Sequence, residues 1–157
     1  MRNGIIWRSI DASGGLHPAG REELMIPNHL AEALEQAAQV GQLFVATADA
    51  HGVPHLAIAE GITLEGEDTV GVTGWFCPRT AENTDANAGI SLVVWDARQD
   101  AGFQLIGEVT QMLDIAMLDG YMPGETEAAA QVERKLVVRV HHILTFSHAH
   151  HSDIDLG

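Results

Sequence analysis

Arg79 is the only lysine or arginine between Glu22 and Ala97, in a chain carrying 22 Asp and Glu against 8 Lys and Arg. A solitary guanidinium in so acidic a stretch has two uses. It can pair with a neighbouring carboxylate, Glu82 or Asp85, a surface contact worth roughly 0–1 kcal/mol. Or it can meet an anion from outside the chain. Its neighbours favour the anion. Thr80 follows at the start of a short helical pattern, so a hydroxyl, a guanidinium and first-turn N–H groups converge, which is what an anion site requires. Asn83, one turn on, offers a further donor. Trp75 and Phe76 precede the pair, and flat rings beside an anion site suit a ligand with a planar ring and a phosphate. Trp95, inside ISLVVWD, has core packing as its expected role. The sequence holds no G-x-G-x-x-G and no P-loop, so a nucleotide would be held by other means.

Two further groups have chemistry to weigh. Cys77, the only cysteine, lies two residues before Arg79, and a nearby arginine favours a thiolate. A lone loop thiol is more simply incidental; it forms no intrachain disulfide and suits a reducing compartment. His148, His150 and His151, with Asp153 and Asp155, are ligand types that Zn²⁺ and Ni²⁺ accept. The simpler reading is a frayed polar tail, and no metal is expected. His141 and His142 fall inside a strand pattern, so at most one faces the core.

The elements that must position these groups follow from local pattern. Residues 1–24 read as an extended arm, with Ile5, Ile6 and Trp7 able to dock on a neighbouring subunit. Asn28 starts a helix with Leu30, Leu34, Ala37 and Ala38 on one face, ended by Gly41. LFVATA (43–48), the turn Asp49-Ala50-His51-Gly52 and PHLAIAEGITL (54–64) predict a hairpin, with Pro54 at a strand start and Gly61 at a bend. A turn over 65–68 leads to TVGVTG (69–74). A loop and a short helix from near Thr80 to near Gly89 precede the buried strand ISLVVWD (90–96). After a turn over 97–101, FQLIGEVTQML (103–113) predicts a strand, MPGETEAAAQVER (122–134) a second helix, acidic at its start, and KLVVRVHHILTFS (135–147) the last strand. Six strands without crossover helices predict a mainly β, antiparallel split barrel in one domain, residues 25–147, with a His-rich tail at 148–157.

At 157 residues and 46% hydrophobic, the chain is long enough for one core. A net charge of −14 argues against nucleic acid and anionic membranes as partners. The N-terminus has only a three-residue apolar run before Arg8, short of a signal peptide, and no stretch is apolar enough to span a bilayer. A cytoplasmic protein is expected.

In order and spacing, MIPNHLAEALEQ, FVATADAHGVPHLAI, GWFCPRTAENTDANAGISLVVWD and GFQLIGEV resemble the pyridoxamine 5′-phosphate oxidase-like FMN-binding split barrels, and in size the small FMN-binding proteins of sulfate-reducing bacteria. The resemblance implies FMN as cofactor and a homodimer with FMN at the subunit interface. It puts Arg79 and Thr80 at the phosphate. His55, Ala57, Ala59 and Glu60 fall along the ribityl chain and ring, Trp75 and Phe76 on the loop beside the flavin, and Gln104 behind it. It further implies an oxidoreductase or electron-transfer role, with a small-molecule or protein redox partner. Two departures stand out: Ile58 and Ala59 replace polar ribityl contacts, and Glu60 brings a carboxylate near the ring. No Arg and His cluster is placed for a second phosphate, so vitamin B6 oxidation is not the expected reaction. The competing readings are a non-catalytic FMN or haem binder, with a strand or tail histidine ligating haem, and a structural subunit that has lost its cofactor. No side chain stands out as an essential acid or base.

Overall fold

The computed structural model describes residues 25–26, 28–40, 42–75, 77–120, 129–150 and 154–156. The N-terminal arm, with Ile5, Ile6 and Trp7, lies outside them, as do Gly41, Phe76 and His151.

The first helix, α1 (Asn28–Gln39), buries Leu30, Leu34 and Ala38 at helical spacing and packs on the strand segments Gly61–Leu64 and Gly89–Asp96. Strand β1 (Leu43–Ala48) alternates buried and half-buried residues, with Leu43, Val45 and Thr47 inward. It pairs antiparallel with β2 (Pro54–Ala59) through the expected hairpin, Thr47 opposite His55. The strand predicted over 54–64 breaks at Glu60 into β2 and β3 (Gly61–Leu64). Strands β4 (Thr69–Trp75) and β5 (Gly89–Asp96) flank helix α2 (Pro78–Ala86), and β6 (Ala101–Gly120), β7 (Ala129–Phe146) and the short β8 (Ile154–Asp155) follow.

The sheet order is β2-β1-β5-β6-β7-β4-β3, with every pairing antiparallel. Its two outermost strands are consecutive in the chain, so the path closes through Glu60, whose N–H donates to Thr73 O at 3.1 Å. The split barrel expected from the sequence is therefore the observed fold. Its interior is filled by Val45, Val70, Val72, Leu92, Val94, Leu105, Leu136 and Val138, all at most 1% exposed.

The corner at Glu60 needs Gly74 across from it. Gly74 has φ +69, and a Cβ there would lie 2.5 Å from Glu60 Cβ and 3.1 Å from its backbone nitrogen. The β4–β7 register also shifts between Val72 and Trp75. Gly74→Ala is expected to destabilise the fold by about 1–3 kcal/mol, measurable by urea unfolding, because both the φ and the contact are unfavourable.

Two expectations are corrected. The helix predicted over 122–134 is strand from Ala129 onward, residues 121–128 lying outside the described set, and both long strands outrun their predicted bounds. Residues 129–134 pair with β6 from Gly120 back to Asp114, so cross-strand pairing overrides the helix propensity of the Ala-Glu-Arg-rich segment. The tail is docked where fraying was expected. Asp155 pairs with Leu144, and Asp100 accepts the His148 N–H at 3.2 Å and contacts His148 Nδ1.

Candidate functional site

Helix α2 begins at Pro78, whose ring suits the first helical position because that N–H would be unpaired anyway. Cys77 is the N-cap, and its side chain makes no capping bond. The inward face of α2 holds Thr80, Ala81, Asn83 and Thr84. Asn83 Nδ2 donates to Thr47 Oγ1 at 3.0 Å, both groups buried, which fixes the helix against β1. The outward face carries Arg79 and Glu82.

A cavity of about 380 Å³ opens between this outer face, the β1–β2 turn and the start of β2; its polar lining is Asp49, His51, His55, Arg79, Glu82 and Asn83. Arg79 is exposed and forms no ion pair among the described residues, so neither Glu82 nor Asp85 satisfies it. The turn is rigid. Asp49 Oδ1 accepts the His51 N–H at 2.8 Å and the Val53 N–H at 2.9 Å, and Gly52 takes φ +81. The bonds from Val53 and then His51 hold the Asp49 carboxyl below the usual range, with a smaller pull from the Arg79 charge. His55 Nε2 lies 3.0 Å from Cys77 Sγ, tying the start of β2 to the N-cap of α2.

The residues singled out by sequence divide accordingly. Arg79, Asn83 and His55 meet at the cavity. Thr80 is fully buried, its hydroxyl without a partner among the described residues, and it does not line the cavity. Trp75 is the inward-facing end of β4, 2% exposed, with an Nε1 that has no partner among the described residues. Ala57 and Ala59 share the inward side of β2 with His55, while Leu56 and Ile58 face outward, 59% and 64% exposed. Glu60 is exposed at the corner. Gln104 Nε2 donates to Ser91 Oγ at 2.9 Å across β5 and β6, away from the cavity. Phe76 lies outside the described residues.

Asp49 and His51 join the site without having been singled out, brought by the Asp-Ala-His-Gly turn, and Glu82, weighed in the sequence only as an ion-pair partner of Arg79, also lines it. Among the described residues no three metal-ligating side chains converge. His148 faces Asp100 and sets its ring edge-on to Trp95 at 5.5 Å, and His142 Nδ1 is 3.4 Å from Asp155. His141 and His142 are both exposed. No helix among the described residues is long and apolar enough to cross a membrane.

No protein-family model matches the chain, and no curated protein is significantly similar to it. Solved structures are similar in fold. The Group A Streptococcus protein HupZ superposes with a TM-score of 0.59 at 17% identity, over 85% of this chain and 100% of its own. An FMN-binding protein of Syntrophomonas wolfei gives 0.53 at 17% identity, over 77% and 88%. A pyridoxamine 5′-phosphate oxidase-related, FMN-binding protein of Nostoc punctiforme gives 0.53 at 11% identity, over 81% and 84%. The chain shares the split-barrel fold of the pyridoxamine 5′-phosphate oxidase-related FMN-binding proteins, as its sequence pieces suggested.

Proposed function

We propose that this split barrel binds FMN, seats the 5′-phosphate against Arg79 at the start of α2, and serves as a flavin oxidoreductase or electron carrier. The observation that carries the reading is Arg79. An exposed guanidinium without an ion pair among the described residues stands on the first turn of a nine-residue helix whose N-cap side chain makes no capping bond, at the edge of a cavity. First-turn N–H groups and a guanidinium together complement a phosphate. FMN, when bound, supplies the hydride or electron chemistry. The chain's own residues have simpler tasks. Arg79 neutralises the phosphate, and Asn83 and Thr47 keep α2 from shifting.

Partnership belongs to the same proposal. Leu56 and Ile58 project from β2, a sheet-end strand beside the cavity, and Val53 adds to them at 56% exposure. Apolar side chains on such a strand call for cover. A second copy supplies it, placing the flavin site at the subunit interface. Leu56→Lys combined with Ile58→Lys is expected to convert the dimer to monomer in light-scattering chromatography and to release bound flavin; a variant that stays dimeric removes this face from the interface.

The visible absorption spectrum of the purified protein tests the assignment of cofactor. The two-band flavin spectrum is expected. One intense band of the haem type, or a spectrum without visible bands after FMN is supplied, overturns it.

A further inference from the structure

The cavity beside Arg79 has a charge problem if its ligand is a phosphate. Its one permanent cation faces two carboxylates, Asp49 from the β1–β2 turn and Glu82 from α2. With neutral imidazoles, one positive and two negative formal charges leave the lining at −1. A phosphate monoester brings between one and two negative charges near neutral pH. The chain's net charge of −14 adds repulsion at longer range. Arg79 alone does not offset this.

His51 and His55 line the same cavity, one from the turn and one from β2. Protonating both takes the lining from −1 to +1. Neither ring is on a loose segment: Asp49 clamps the backbone of His51, and Cys77 Sγ sits 3.0 Å from His55 Nε2. The groups facing the two imidazoles are Asp49 on the turn, Arg79 and Glu82 on α2, and Cys77 at its N-cap. We infer that His51 and His55 are the second and third cations of the phosphate site, making it selective for a phosphate monoester and tighter in mild acid than in mild alkali. The inference rests on the FMN reading above, and it goes further by assigning two residues and a pH response to the site.

The sign of the response identifies its source. The second ionisation of a phosphate monoester lies near 6. Raising the pH from about 6.3 to about 8 completes the phosphate charge, which by itself strengthens binding to Arg79. The same change removes protons from imidazoles, which weakens binding. A fall in affinity over this interval that disappears when the histidines are replaced therefore reports the histidines.

The test is a flavin-fluorescence titration of the full chain with FMN and with riboflavin, which lacks the phosphate, at both pH values. The protein is expected to bind FMN at least about fivefold more tightly at the lower pH, with riboflavin unchanged. His51→Gln combined with His55→Gln is expected to abolish the difference. FMN affinity that is level or rising with pH overturns the histidine assignment while leaving FMN binding in place. So does riboflavin affinity that falls in parallel. No FMN binding at either pH overturns the FMN reading and takes the histidines with it. If the double variant folds poorly, His51→Gln in the exposed turn supplies the comparison: a reduced pH difference supports the assignment and an unchanged one overturns it for His51.

Discussion

Replacing Arg79 with alanine is expected to weaken FMN binding roughly 10- to 100-fold, while riboflavin binding and the melting temperature stay unchanged. A charge-assisted bond to phosphate contributes about 1.5–3 kcal/mol, and about 1.4 kcal/mol corresponds to a factor of ten. The fold is expected to survive because the Arg79 side chain is exposed and forms no ion pair among the described residues. The anchor of α2 is the Asn83 to Thr47 bond, which does not involve the Arg79 side chain. Calorimetric titration of both ligands into both proteins reads the outcome. Equal losses for FMN and riboflavin would mean that Arg79 shapes the cavity without meeting the phosphate.

The largest stability effect is expected at Gly107. A Cβ there would lie 2.0 Å from the carbonyl oxygen of Arg139 and 3.0 Å from Val140 Cα. Both are backbone atoms of a paired strand, so no rotamer change relieves the contact. The β6–β7 register already shifts between Ile106 and Gly107, where His142 and then Val140 are the partners and His141 is left over. Gly107→Ala must therefore push apart the longest pairing in the barrel. A loss of about 3 kcal/mol or more is expected, lowering the melting temperature on the order of 10 °C in a domain of this size. A variant melting within about 2 °C of the parent would show that the bulge yields freely.

Much of this fold was legible because its signals are local. The Asp49-to-Gly52 turn, Pro54 at a strand start and the break beside Gly61 all sit within a few residues of the structure they cause. The β6–β7 extension was not legible. Residues 129–134 carry good helix formers, and their strand state depends on partners on β6 that the local window does not contain. Gly74 escaped notice because a positive φ and an opposing Glu60 appear only when the corner closes. At the site, Arg79 stood out by its isolation in the sequence. Trp75 misled: placed beside a loop in sequence, it extends β4 by one residue and turns inward. His51 and Cys77 reach the site by different routes, since the β1–β2 turn and α2 meet only in three dimensions.

The central claim is that the start of α2 recognises a flavin by its phosphate. Competition between FMN and riboflavin for the purified, flavin-stripped protein measures it directly. FMN is expected to win by at least about tenfold at equal concentrations, one charge-assisted bond's worth. Riboflavin binding as tightly as FMN, or neither binding, would contradict it.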